Sequence, residues 1–286
     1  MTNIRRMTAT PVEYVAARRV LLDALDALAD HRKSLILVGA QAVYVNTGEV
    51  AGTGTTYTTD SDLVLDVDLL APDPEIGAAL ETAGFAPGGQ PGSWQTPEGV
   101  VVDVMTAPHQ SGTTKKTARA ARISPHVKHT ARITPGLEGS LVDHFPSELR
   151  ALDPSDARTV RLNVAGPAAL VVAKATKISD RAEAVGAGKA DRWRGKDSVD
   201  VLRLLMTATT DTLLAGFALH HSAGGAIADA SSLALRFLAE QQSRGDEDVI
   251  YGSIQEALSP IESASYRALL SRLLSRCAEF GLLTEN

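Results

Sequence analysis

The chain has 286 residues and a net charge of −6; 44% of its residues are hydrophobic, 22% are charged and 4% are aromatic. These values are typical of a folded protein of one large or two smaller domains, and the acidic balance argues against indiscriminate binding to nucleic acid. The single Cys277 excludes an intrachain disulfide, and the lack of a spanning apolar run or a secretory signal favours a cytoplasmic protein without a membrane partner.

The first half of the sequence predicts a mixed α/β module. Short apolar runs bounded by Gly, Pro and Thr are typical of buried strands, whereas apolar residues at helical spacing are typical of amphipathic helices. The first strand ends at a glycine turn, Gly39-Ala40, and a Gly- and Thr-rich loop over residues 49–56 precedes the second strand. The predicted helices cover residues 11–30, 41–48 and 74–85, and the predicted strands cover residues 34–38, 62–67 and 99–107.

The second half predicts a mostly α-helical region. From about residue 165 the sequence becomes rich in Ala and Leu at helical spacing, and Pro167 lies close to the expected start of a helix. The segment "DHFPSELRALDPSDAR" before it is polar and contains two prolines. We therefore expect an α/β domain over residues 1–155 and a helical domain over residues 156–286.

Three aspartates predict a metal site. Side chains alternate between the two faces of a strand, so Asp60 and Asp62, two residues apart, share one face. Their Cα atoms should be roughly 6.6 Å apart. Asp103 lies among apolar residues of the next predicted strand, where an unpaired charge would be costly. Three carboxylates suit one or two Mg²⁺ ions, although an isolated Asp-x-Asp is also common on solvated strands. A second pair, Asp66 and Asp68, is expected to end the strand instead.

The motif order resembles the nucleotidyltransferase superfamily that shares a polymerase-β-like fold. The resemblance rests on the glycine turn in "VGAQAVYVNTG", the acids of "T-x-D-S-D" and the acid of "VVDVM". It implies that Gly39, Ala40 and Thr58 contact the nucleotide. Gly39-Ala40 replaces the family's Gly-Gly or Gly-Ser, and Thr56 stands where many relatives have a basic residue.

A downstream segment narrows this resemblance. "ALVVAKATKISDRAEAVGAGKADRWRGKDSVDVLRLL" resembles the lysine helix and the KD-x-x-D helix of AbiEii-type nucleotidyltransferase toxins, which include the mycobacterial MenT toxins. The match implies that Lys174 binds the nucleotide and that Asp197 is the acid of the final motif. From the residues alone, Asp197 either orients Lys174 or pairs at the surface with Arg192 or Arg194.

Basic residues form two further features. Lys177 and Arg181 follow Lys174 at i+3 and i+7 and share its helix face, which either neutralises a triphosphate or is simply solvated. Residues 115–132 contain six basic residues and no acid, and are either an anion site or a solvated face. The six are Lys115, Lys116, Arg119, Arg122, Lys128 and Arg132.

The resemblance implies a metal-dependent enzyme that transfers a nucleoside monophosphate from a nucleoside triphosphate and releases pyrophosphate. Asp60 and Asp62 would bind two Mg²⁺ ions, and Asp103 would bind the metal on the acceptor side and assist deprotonation of the attacking hydroxyl. The implied acceptor is tRNA or another RNA, with residues 115–132 on its backbone, and the implied role is the toxin of a toxin–antitoxin pair with a cognate antitoxin. Two alternatives stay open: a small-molecule acceptor, as in antibiotic nucleotidyltransferases, and a nucleotide-binding relative without turnover.

Overall fold

A computed structural model describes residues 11–48, 58–115, 117–127, 129–188 and 195–283. Several features singled out from the sequence lie outside these described ranges. They are the loop over residues 49–56 with Thr56, two lysines of the basic stretch (Lys116 and Lys128), and Arg192 and Arg194.

The described residues form one mixed β-sheet of eight strands in the order β3-β4-β5-β2-β1-β8-β7, with β6 paired to β5. Three pairs are parallel, namely β1 with β8, β2 with β5, and β5 with β6. The strands are β1 Leu35–Val38, β2 Asp60–Leu65, β3 Ala86–Pro87, β4 Ser93–Gln95, β5 Val101–Thr106, β6 Arg132–Ile133, β7 His144–Arg150 and β8 Thr159–Ala165.

Helices flank the sheet and form the region that follows it. Helix α1 packs on β2 and β5, whereas α4 packs against α5, α6 and α7. None of the helices in the described ranges is by itself long and apolar enough to cross a membrane; α5 and α6 pass that test only together, and they are bent by 112°. The helices are α1 Val12–Ala27, α2 Gly39–Thr47, α3 Ile76–Thr82, α4 Pro167–Gly186, α5 Lys196–Thr207, α6 Thr210–Ala223, α7 Gly225–Ser243, α8 Val249–Ala257 and α9 Pro260–Glu279.

The mixed α/β sheet followed by a mostly helical region is confirmed. The expected boundary at residue 155, however, falls inside a β-hairpin, because β7 and β8 pair from His144↔Ala165 to Arg150↔Thr159. The sheet therefore continues to Ala165, and the helical region begins at Pro167. A single apolar core joins the two parts, since strand and helix residues such as Leu162 and Leu170 belong to one buried cluster.

Candidate active site

The structure places the three predicted carboxylates on two neighbouring strands, β2 and β5. Strands β2 and β5 are parallel neighbours, and Asp62 lies in register with Asp103. Asp60 precedes Asp62 by two residues and therefore shares its face. Burial first, and then the negative charges of Asp60 and Asp103, raise the pKa of Asp62 to about 6, while Lys177 and Lys174 act in the opposite direction. The cluster is therefore short of positive charge.

Gly39 lies directly against this cluster. Val38, at the end of β1, pairs with Asp62, and the chain then turns into α2 with Gly39 at φ +67°. A Cβ atom on Gly39 would lie 1.9 Å from Asp62 Oδ2 and 2.7 Å from its Cγ. Glycine is required here both by the left-handed backbone and by the approach of the carboxylate. The predicted glycine turn thus contacts the predicted acid pair.

Buried polar side chains fix the strand that carries the acids. Gln41, in the first turn of α2, donates from Nε2 to Ser61 Oγ at 2.6 Å, between the two aspartates. Its Oε1 accepts from Arg18 Nε of α1 at 2.8 Å. Arg18 and Gln41 are both buried. These residues were not predicted from the sequence, and they lock α1, α2 and β2 together next to Asp60 and Asp62.

Two of the carboxylates have protein partners. Thr58 is buried, and its hydroxyl donates to Asp60 Oδ1. Arg132 Nη2 donates to Asp103 Oδ2 at 2.8 Å, in an ion pair whose side chains are 23% and 16% exposed. As they lie, no three Asp, Glu, His or Cys side chains in the described residues are grouped closely enough to hold a metal ion. The carboxylate donor set still fits Mg²⁺ in its chemistry, provided that these contacts open or are shared.

The second pair of aspartates has a structural role, as predicted. Strand β2 ends at Leu65, and Asp66 Oδ1 accepts from the backbone N–H of Asp68 at 3.2 Å. Asp66 Oδ1 also accepts from Gln110 Nε2 at 3.0 Å. The prediction that this pair ends the strand is confirmed.

Lys174 is held between two carboxylates of α5. Its Nζ lies 2.8 Å from Asp197 Oδ1 and 2.7 Å from Asp200 Oδ2, and its side chain is 6% exposed. Burial alone would lower the pKa of Lys174, but the two carboxylates more than reverse this and raise it. Burial likewise opposes ionisation of Asp197, yet Lys174 and Lys177 lower its pKa to about 2. Lys174 and Asp197 therefore form a charged pair.

Asp197 also contacts the other two predicted cations of α4. Arg181 Nη1 donates to Asp197 Oδ2, and Lys177 Nζ lies 3.8 Å from Asp197 Oδ1. Burial, partly offset by Asp197, lowers the pKa of Lys177, whose side chain remains 50% exposed. Of the two alternatives for Asp197, these contacts support the one in which it orients Lys174.

A second unpredicted group joins α5 to α2. Arg203 Nη1 lies 3.8 Å from Asp200 Oδ1, and its guanidinium stands 5.4 Å from the ring centroid of Tyr44. Burial and then the charge of Asp200 raise the pKa of Tyr44 to about 12. The helix that follows the glycine turn is thus connected through Arg203 and Asp200 to Lys174.

A cleft opens beside the acids on the side of α1, β4 and β5. Its volume is about 660 Å³, within the range of small-ligand sites. Arg132 and four acids contribute to the lining, and an apolar wall comes from α1 and β5. The acids are Glu13, Asp60, Glu98 and Asp103.

The basic stretch over residues 115–132 divides between the surface and this cleft. Arg132 reaches the cleft and binds Asp103, as described above. Arg119 is exposed and donates from Nη2 to Gln90 Oε1 at 2.9 Å, and Gln90 lines the cleft. The exposed basic residues described in this stretch are Lys115, Arg119 and Arg122.

No protein-family model, curated protein or solved structure matches this chain. The functional interpretation therefore depends on the motifs and on the contacts of their side chains. Gly39, the three acids and the cations of α4 are the residues on which it rests.

Proposed function

We propose that the protein is a metal-dependent nucleotidyltransferase that transfers a nucleoside monophosphate from a nucleoside triphosphate to a hydroxyl of RNA. One observation carries the proposal: Asp62 and Asp103 are in register on parallel strands, with Gly39 against Asp62 and the cations of α4 acting on the same carboxylate. Acids, a close backbone turn and cations at one place are what phosphoryl transfer requires.

The residues divide the work by charge. Asp60, Asp62 and Asp103 would hold Mg²⁺, and bound Mg²⁺ would supply positive charge to the triphosphate and to the phosphoryl group during transfer. The backbone N–H groups at the start of α2, from Gly39 and Ala40 onward, suit phosphate oxygens. Lys177 and Lys174 of α4 supply further positive charge near Asp62, and Arg181 binds Asp197 on the same helix face.

The proposed reaction is an in-line displacement. The oxygen of the acceptor hydroxyl forms a bond to the α-phosphorus, while the bond from that phosphorus to the bridging oxygen of the β-phosphate breaks. Pyrophosphate leaves with that bonding pair, and the hydroxyl proton passes to a carboxylate. Asp103 is suited to accept it, because it lines the cleft that can admit the acceptor.

The choice of RNA is supported by exposed basic residues, one of which contacts the lining of the cleft. Arg119 contacts Gln90 at the cleft lining, and Lys115 and Arg122 are exposed on the same stretch. Phosphate contacts from such residues position a nucleic acid without reading its sequence. Together with the AbiEii-type motifs, this supports tRNA as the acceptor, the toxin of a toxin–antitoxin pair as the role, and an antitoxin as the protein partner.

Labelling tests the proposal. The purified protein is incubated with total RNA, Mg²⁺ and each of the four ribonucleoside triphosphates labelled at the α-phosphate. Label should enter RNA with at least one nucleotide and should be lost with Asp62→Ala. Absence of labelled RNA with all four nucleotides would contradict the RNA acceptor.

A small-molecule acceptor is the second candidate, and the acids of the cleft favour it. Four acidic side chains line the cleft, namely Glu13, Asp60, Glu98 and Asp103, whereas Arg132 is the one basic side chain among the described lining residues. Such a rim favours a cationic acceptor. If nucleotide turnover required an aminated small molecule and RNA stayed unlabelled, this candidate would replace the first.

A further inference from the structure

Lys174 and Lys177 lie on one face of α4 but have different surroundings. Lys174 is 6% exposed and directs two of its three N–H donors to Asp197 and Asp200. The side chain of Lys177 is 50% exposed, and its Nζ lies 3.8 Å from Asp197 Oδ1. Its positive charge acts to lower the pKa of Asp62. The lysine that the resemblance assigns to the nucleotide is therefore the more enclosed of the two.

We infer that Lys177 binds the phosphates of the nucleotide, and that Lys174 is a positioning residue that keeps Asp197 from capturing Lys177. This inference rests on the proposed function and assigns the roles within that site. For Lys174 to reach a phosphate, it would have to break two close ion pairs with buried carboxylates, at 2.8 Å and 2.7 Å, which is unfavourable. Lys177 needs to give up only a long contact.

The geometry of Asp197 explains the positioning role. Its Oδ1 faces both lysines, at 2.8 Å from Lys174 Nζ and 3.8 Å from Lys177 Nζ, while Oδ2 accepts from Arg181. Lys174 thus occupies the oxygen that Lys177 would otherwise approach. Lys177 is left near Asp197 but free to turn toward a phosphate oxygen.

Asp200 completes the arrangement from the other side. It holds Lys174 at 2.7 Å and lies 3.8 Å from Arg203, which stands over Tyr44 of α2. Since α2 begins at the glycine turn, the lysine helix and the backbone N–H groups proposed for phosphate binding are connected through these side chains.

Four variants separate the roles, with nucleotide binding measured by calorimetry for ATP, CTP, GTP and UTP in excess Mg²⁺. Lys177→Met removes the proposed phosphate ligand at a half-exposed position, and Lys33→Met is its control, because Lys33 is exposed before β1, at the opposite end from Gly39. Two charge-balanced pairs, K174M/D197N and K174M/D200N, remove Lys174 with one of its carboxylates. Replacing a buried ion pair by neutral groups commonly preserves folding, which thermal melts check.

The expected order of affinities is specific. Lys177→Met should weaken nucleotide binding by about tenfold or more, because one charged hydrogen bond is lost, and should leave the melting temperature unchanged. Lys33→Met should bind nucleotide as wild type does. K174M/D197N should bind about as tightly as wild type, because Lys177 is released from Asp197. K174M/D200N should bind more weakly, because Asp197 then captures Lys177.

Other results overturn the assignment. If both double variants lost binding equally, Lys174 would be the phosphate ligand; if both bound as wild type, Lys174 would have no positioning role. Wild-type affinity in Lys177→Met would remove Lys177 from the site, and this variant settles the matter even if a double variant fails to fold. A wild-type protein that binds none of the four nucleotides would refute the proposed function itself.

Discussion

Replacing Gly39 by alanine tests whether the turn after β1 fixes the position of Asp62. The added Cβ atom would lie 1.9 Å from Asp62 Oδ2, 2.7 Å from Cγ and 2.9 Å from Cβ. The contact thus involves the whole side chain rather than a flexible tip. The Asp62 side chain would have to move away from Gly39, so its carboxylate would lose its present position relative to Asp103, its neighbour in register on β5.

The expected cost has two parts. A residue with a side chain at φ +67° costs roughly 1–2 kcal/mol in the left-handed region. Forcing an extra carbon into an occupied space costs about 1–3 kcal/mol more, so Gly39→Ala should lower the free energy of unfolding by about 2–5 kcal/mol. Mg²⁺ affinity should fall as well, because one of the three carboxylates is displaced.

Gly48 supplies the matched control. It ends the same helix at φ +58°, and a Cβ atom there meets nothing within 4 Å among the described atoms. Gly48→Ala should therefore cost only backbone strain, about 1–3 kcal/mol at φ 58° and ψ −153°, and leave Mg²⁺ binding intact. Urea denaturation and calorimetric Mg²⁺ titration measure both quantities.

A double-mutant cycle locates the contact. In a background of Asp62→Ala the Gly39→Ala change should cost about as much as Gly48→Ala, because the clashing carboxylate is gone. Equal stability losses for Gly39→Ala and Gly48→Ala in the wild-type background, with Mg²⁺ affinity preserved in both, would refute the reasoning.

Three further predictions concern charges. Asp197→Ala leaves buried Lys174 with one carboxylate and should lower the free energy of unfolding by about 3–5 kcal/mol in urea melts, whereas a loss below about 1 kcal/mol would contradict the ion-pair argument. Burial lowers the pKa of His220 to about 4, below its unfolded value, so its contribution to stability is complete above about pH 6.5 and is lost as the pH falls toward 4, by about 3 kcal/mol. His220→Gln should reduce the slope of the unfolding free energy against pH between about pH 6.5 and pH 4. An unchanged slope would show that His220 does not cause it. Arg132→Gln should raise Mg²⁺ affinity in calorimetry, because the competing cation on Asp103 is removed; a lower affinity would show that Arg132 supports the site.

Much of the fold was predictable because local patterns encode it. Apolar runs predicted β1 and β5, and the alternation of a strand put Asp60 and Asp62 on one face before any pairing was known. The glycine at the end of β1 was also visible. Its contact with Asp62 was not, since that depends on the antiparallel pairing of β1 with β2.

The features that the sequence did not predict depend on pairing between distant segments. Arg132 reaches Asp103 because β6 pairs in parallel with β5 after a long connection, and nothing local to either residue indicates this. The sheet extends past residue 155 because β8 returns to lie beside β1, and no local pattern indicates this return. Asp200 could have been found, since it follows Asp197 at i+3 and so lies near it on the helix surface.

The opposed shifts at Asp62 and Lys177 lead to a last prediction, that metal and nucleotide bind cooperatively. Burial raises the pKa of Asp62 to about 6 and lowers that of Lys177, so each charge lacks part of its compensation in the free protein. A divalent cation would compensate Asp62, and a triphosphate would compensate Lys177, so each ligand should favour the other by the same factor.

Mg²⁺ affinity should therefore rise when nucleotide is present, and it should fall as the pH drops through about 6, where protons compete for Asp62. Both effects are measured by calorimetric titrations of Mg²⁺ with and without nucleotide. The titrations are made at pH 5, 6 and 8, which span that pKa in steps of about one unit or more. Equal Mg²⁺ affinities across this series would contradict the prediction, because protons and nucleotide would then have no effect on metal binding at Asp62.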